Sequence, residues 1–158
     1  LAAGLEDSPM ENAVLAKNET EAKALWQMRE SVPEAQFSNV KHDISVAVSR
    51  IPEFIAKAGA RLEAAFPGAP IFCFGHVGDG NLHYNVGDKA LLARRAEVSR
   101  LVYEQVDALG GSISAEHGLG QLKRDEIALH KPAVELELMR AVKRALDPDW
   151  KLAPGVLF

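Results

Sequence analysis

The chain has 158 residues, 47% of them apolar and 25% charged. That is about one domain by size, with enough apolar side chains to build a buried core, and it excludes disordered, collagen-like and low-complexity classes. Eighteen basic against 22 acidic side chains leave a formal charge of −4; without a Lys/Arg cluster, nucleic acid is not an expected partner.

No run approaches the roughly 18 apolar residues of a membrane span, and no signal-peptide pattern opens the chain. The first residue is Leu1 rather than Met, so the sequence reads as a piece of something longer. The short apolar run from Ala13 to Ala16 predicts an edge strand. Asn18 as N-cap, with Glu21 at the capping-box position, predicts a helix. Ala22, Leu25, Trp26, Met28 and Val32 form its apolar stripe, and Pro33 stops it. Arg29 lies on or beside that stripe, where a snorkelling side chain is the plainest reading. Residues 1–36 therefore read as a strand and helix, the remainder of a preceding unit, and 37–158 as the main unit.

From Phe37 the period changes to two. Val40, His42, Ile44, Val46 and Val48 alternate with Asn39, Lys41, Asp43, Ser45 and Ala47, as in a half-buried strand. Pro52 opens a helix with Ile51, Phe54, Ile55, Ala58, Leu62, Ala65 and Phe66 at 3.6 spacing. Ile71 to Val77 predicts a strand, with Cys73 as core packing. Asp79-Gly80 is a two-residue hairpin signal, and Asn81 to Val86 returns as a strand. Lys89 to Leu109 predicts a helix, Ser112 to Ala115 a short strand, and Ala133 to Leu146 a last helix with Leu138, Met139, Val142 and Leu146 inward.

The order from 37 to 115 is βαββαβ, which predicts an α+β fold of ferredoxin-like type, with both helices on one sheet face. Parity then places Ile44, Val46, Leu82, Tyr84 and Val86 under the helices. Lys41, Asp43, Ser45, Asn81, His83 and Asn85 point out of the open face.

A two-residue Asp79-Gly80 turn would make His76 the cross-strand partner of His83, and Phe74 that of Asn85. Opposed residues share a face at about 4.5–5.5 Å between Cβ atoms. Two imidazoles so placed can hold a metal ion or simply pair on the surface. Glu116, arriving after the fourth strand, would complete a set of two His and one Glu with an open position. It could equally be an acid opening a helix. A phosphate-binding glycine loop is disfavoured, because a strand rather than a helix follows Gly75, Gly78 and Gly80. No serine sits in a nucleophile elbow.

Three strings carry a resemblance: Phe74-Gly75-His76-Val77-Gly78-Asp79-Gly80-Asn81-Leu82-His83, then Ser114-Ala115-Glu116-His117-Gly118-Leu119-Gly120, then Leu146-Asp147-Pro148 with Pro154-Gly155. The chain resembles the C-terminal domain of FAD-linked oxidases, the group of D-2-hydroxyglutarate dehydrogenase, D-lactate dehydrogenase and the flavin subunit of glycolate oxidase. The resemblance runs from Leu25-Trp26-Gln27-Met28-Arg29-Glu30 to Pro154-Gly155. It implies that an N-terminal FAD-binding domain, absent from these residues, partners this one, and that the two oxidise a 2-hydroxy acid with hydride transfer to flavin. It implies His76, His83 and Glu116 as ligands of a divalent metal such as zinc. It implies Arg29, Lys41, Asn85 and His117 as substrate contacts, and His117 beside Glu116 is the candidate general base. Ala153 stands where family members usually carry Asn.

The resulting expectation is the substrate- and metal-binding half of an FAD-dependent dehydrogenase, inactive without its flavin domain. A homodimer is a further partner expectation. The expected location is cytoplasmic, with peripheral membrane association through an electron acceptor. The competing reading is a free-standing ferredoxin-like module that binds a metal or small acid and regulates a partner.

Overall fold

Residues 14–34 and 38–156 are described in the computed structural model of the chain, which divides into two units, Leu1–Phe37 and Ser38–Phe158. In the first, helix α1 spans Glu19–Glu30. Its start follows the capping logic: Asn18 Oδ1 accepts the N–H of Glu21 at 3.0 Å, and the Glu21 carboxylate reaches back to the N–H of Lys17 at 2.8 Å. The edge strand expected over 13–16 does not form at Val14 to Ala16, and Ala13 lies outside the described residues. An isolated extended run leaves its backbone groups without ladder partners, and none pairs with this one among the described residues.

The second unit is α+β. Strands β1 (Asp43–Ser45), β2 (Ile71–Phe74) and β3 (Asn81–Val86) form an antiparallel sheet in the order β1-β3-β2. Helices α2 (Ile51–Ala65) and α3 (Arg95–Ala108) are the two crossovers, α3 being preceded by a 3-10 stretch over Lys89–Arg94. The expected fourth strand is reduced to one antiparallel bridge, Ser45 with Ser112, closed by N–H···O bonds of 2.9 and 2.8 Å. That bridge lies on the free edge of β1, so the ferredoxin-like order survives although its last strand does not propagate. Helices α4 (Arg124–His130) and α5 (Ala133–Leu146) follow; α4 had no counterpart in the sequence reading.

Both crossover helices cover one face. Ile44, Leu82, Tyr84 and Val86 of the sheet join Phe54, Ala58 and Leu62 of α2 and Val98, Val102 and Val106 of α3 in one core. Each large side chain so buried stabilises the fold by about 1.5–3 kcal/mol. The phenol ring of Tyr84 meets Phe54 edge-on at 5.1 Å, and burial pushes its hydroxyl up to about 12.

Three further expectations fail in this unit. The β2–β3 connection is not a two-residue turn: β2 ends at Phe74, Val77–Asp79 make a 3-10 turn, and Gly80 is left-handed at φ 79°. Asp79 Oδ1 takes the N–H of Asn81 at 3.0 Å, so this aspartate closes its own local turn instead of sitting in a type I′ pair. Cys73 is exposed rather than core, because β2 is the edge strand of the sheet. In α5, Leu138, Val142 and Leu146 are exposed, Met139 is half-buried, and Leu136 is the buried residue. At the end of α5, Asp147 accepts the N–H groups of Lys151 and Leu152, both at 2.9 Å, and pairs with Lys143. Those charge-assisted bonds close the C-terminal end of the helix.

Candidate functional site

The register decides which side chains meet. Asp43 faces His83, Ser45 faces Asn81, Phe74 faces His83 and Phe72 faces Asn85. His83 is therefore opposed by Phe74, ring centroids 5.0 Å apart, and not by His76 as the tight turn had implied. The shift is two residues, so parity is kept. Lys41 lies opposite Asn85, one step on from the Val40–Val86 bridge. Lys41, Asp43 and His83 share the face turned away from the core.

That face is not simply open. Asp43, Asn81 and Asn85 are buried. Asp43 is roofed by the loop carrying Glu116 and His117, whose backbone N–H groups donate to Asp43 Oδ2 at 2.9 and 2.8 Å. The expectation that every polar residue of this face meets solvent is corrected accordingly. Asn85 also has a structural task, its Oδ1 accepting the N–H of His42 at 3.3 Å. Lys41 is exposed.

Although His76 sits in the connecting loop, its ring still reaches the site. His76 Nδ1 is 3.1 Å from Glu116 Oε1, and His83 Nε2 is 3.9 Å from Glu116 Oε2. The His117 ring stacks on His83 at 5.6 Å, and its Nδ1 is 3.6 Å from Asp43 Oδ2. Four sequence-selected residues, His76, His83, Glu116 and His117, are thus brought together. The expected three-ligand arrangement is not formed as such: among the described residues no three His, Cys, Asp or Glu side chains stand as a ligand set, and the two imidazoles flank the Glu116 carboxylate instead. Arg29 belongs to the last turn of α1, in the other unit.

Two backbone positions hold the loop in place. A Cβ on Gly75 would lie 2.3 Å from the carbonyl oxygen of Asn81, and one on Gly80 2.1 Å from that of Val46. Only glycine allows chain to pass chain this closely.

The electrostatics follow from burial. Desolvation lowers the proton affinity of His83, and the carboxylates of Asp43 and Glu116 only partly offset it. For Asp43, burial pushes its carboxyl up, but the N–H groups of His117 and Glu116 with the charges of His117 and Lys123 outweigh it, and the group titrates below its ordinary value. Asp43 is the residue that sequence reasoning missed. Its only advance signal was its place on the open face of the strand paired with His83.

Residues 1–157 match the family described as FAD linked oxidases, C-terminal domain. The chain belongs to that family. It is 36% identical to a D-2-hydroxyglutarate dehydrogenase of Xanthomonas citri over 98% of its own length and 34% of the relative's. It is 37% identical to one of Stutzerimonas stutzeri, over 93% of this chain and 33% of the relative. A mitochondrial D-2-hydroxyglutarate dehydrogenase of Bos taurus is 36% identical over 95% of this chain and 28% of the relative. This FAD-linked oxidase domain thus spans about a third of the length of the relatives it matches. Among its described residues no helix is long and apolar enough to cross a membrane.

Proposed function

We propose that this domain is the substrate- and metal-binding part of an FAD-dependent dehydrogenase that oxidises a D-2-hydroxy acid to the 2-oxo acid. The observation that carries the reading is the convergence of His76, His83 and His117 on one corner with Glu116 and Asp43. Family membership supplies the flavin. Relatives named D-2-hydroxyglutarate dehydrogenase make D-2-hydroxyglutarate the first substrate to assay.

By donor type, two imidazoles and one carboxylate suit a divalent ion such as zinc, although the three side chains are not arranged as a ligand set among the described residues. His76, His83 and Glu116 would hold it. When bound, the ion would supply Lewis-acid stabilisation of the substrate oxygens, and the flavin of the remaining polypeptide would accept the C2 hydride. His117 takes the hydroxyl proton as general base. Lys41, on the same face, and Arg29 bind carboxylate oxygens of the substrate, Arg by a two-pronged contact. Asn85 orients the substrate from the register position opposite Lys41. Phe74, packed on His83, limits water at that imidazole.

In relatives the matched region is about a third of a longer chain, which supports an enzyme part over a free-standing regulatory module. A homodimer and a cytoplasmic location, with membrane contact only through an electron acceptor, belong to the same reading. The test is made on the full-length parent enzyme. Metal content and the rate of flavin reduction by D-2-hydroxy acids are compared in wild type, His83→Ala and Glu116→Ala. Both variants should lose metal and rate together. Unchanged metal content in both would end the ligand assignment.

A further inference from the structure

Asp43 is 4% exposed, and no lysine or arginine makes an ion pair with it among the described residues. A buried carboxylate without such a partner is costly to keep. Its Oδ2 nevertheless accepts two consecutive backbone N–H groups, those of Glu116 and His117, and lies 3.6 Å from His117 Nδ1. Among the described residues its Oδ1 has no hydrogen-bond partner. On the sheet, the same residue is the cross-strand partner of His83. One side chain therefore joins three of the residues selected for chemistry, and it touches them from beneath.

Resting on the reading given above, we propose that Asp43 is the positioning residue of this site: it clamps the Glu116–His117 corner to the sheet and so sets where the His117 ring stands. The reasoning is geometric. Residues 114–120 contain Gly118 and Gly120, both at positive φ; among the described residues no ladder follows the Ser112 bridge, and within the segment Ser114 Oγ donates to the Gly118 carbonyl at 2.7 Å. Two N–H donors on one oxygen fix the orientation of the 116–117 peptide. Lys123 reinforces the arrangement from the side by donating to the carbonyl of Ile113 at 2.7 Å, and its charge acts on Asp43.

The experiment uses the full-length enzyme with Asp43→Asn, Asp43→Glu, His117→Ala and the Asp43→Asn/His117→Ala pair. Its readouts are the rate of flavin reduction at saturating D-2-hydroxy acid and the hydrogen exchange of the 116 and 117 amides. Outer groups that orient working residues typically matter about 10–100-fold. Asp43→Asn should lose that much rate and expose both amides to exchange, while adding less than about threefold to the loss already caused by His117→Ala. Should Asp43→Asn fail to fold, Asp43→Glu carries the test, because it keeps the charge but displaces the corner by one methylene, and it should show the same loss. A wild-type rate in Asp43→Asn with a deep loss in His117→Ala overturns the clamp and leaves the proposed function standing. Fully additive losses also overturn it. A wild-type rate in His117→Ala removes the base assignment and this inference together.

Discussion

His42 Nδ1 donates to the carbonyl oxygen of Tyr84 at 2.7 Å, across the β1–β3 pair on the core side of the sheet. The carbonyl can only accept, so the proton is on Nδ1, and Nε2 accepts from the Ser99 hydroxyl at 3.1 Å. With Tyr103 edge-on at 5.4 Å, the ring is a neutral core member. Burial lowers its pKa to about 4, the Tyr84 carbonyl opposing that shift and the charges of Lys123 and Arg95 adding to it.

The first prediction follows from linkage. The unfolded imidazole binds its proton near pH 6.5 and the folded one near 4, so the unfolded state holds the extra proton between them. Stability contributed by neutral His42 is complete above about pH 6.5 and is lost as pH falls towards 4, by roughly 3 kcal/mol in all. Denaturant midpoints at pH 7 and pH 4.5, compared with those of His42→Gln, measure it. The variant should show the shallower pH dependence.

Ala153 sits at φ 44°, in the left-handed region that disfavours a Cβ. Asn and Gly tolerate it better. Ala153→Gly or Ala153→Asn should stabilise the protein by about 0.5–1 kcal/mol, read as a rise in Tm. A fall in Tm for both would show that the side chain at this position is held by packing.

The Tyr84 hydroxyl is buried with no hydrogen-bond partner among the described residues. Removing an unsatisfied buried group while keeping the ring should be neutral or stabilising by up to about 1 kcal/mol. Tyr84→Phe tests this by urea denaturation, and a loss larger than 1 kcal/mol would reveal a partner.

Gly80→Ala should be severe. It places a Cβ 2.1 Å from the Val46 carbonyl oxygen at φ 79°, and it disturbs the Val46 N–H bond to the Gly80 carbonyl, 3.1 Å. Backbone strain alone costs about 1–3 kcal/mol. Thermal unfolding should register the loss, and, if the proposed ligands hold a metal, metal content of the full-length enzyme should fall with it, since His76 and His83 flank this turn.

On the proposed reading, substrate affinity separates the two cations from the proposed metal ligands. In the full-length enzyme, Lys41→Ala and Arg29→Ala should raise KM about tenfold or more, the loss of one charge-assisted bond of about 1.5–3 kcal/mol. Metal content should stay unchanged. Equal KM in both variants and wild type would place the substrate carboxylates elsewhere.

Period and punctuation in the sequence by themselves determined the α+β class, the βαββαβ order, the Asn18 cap, helices α2 and α5, and the parity that sends Ile44, Leu82, Tyr84 and Val86 inward. These are local properties: side-chain direction alternates along a strand and repeats every 3.6 residues along a helix, whatever the rest of the chain does. The strings around His76, His83 and Glu116 were equally legible. Tertiary structure alone decided the register. Asp79 closes its own turn, so His83 faces Phe74, and His76 reaches Glu116 from a loop rather than from a paired strand. It also decided what lies over the sheet: Asp43 is buried because a loop 73 residues later donates two N–H groups to it, a relation no local pattern encodes. The rotation of α5 was misread for the same reason. Its apolar stripe is visible in the sequence, but Leu138, Val142 and Leu146 are exposed and Leu136 is buried, because the side that packs inward depends on what the rest of the chain brings against the helix and not on its own period.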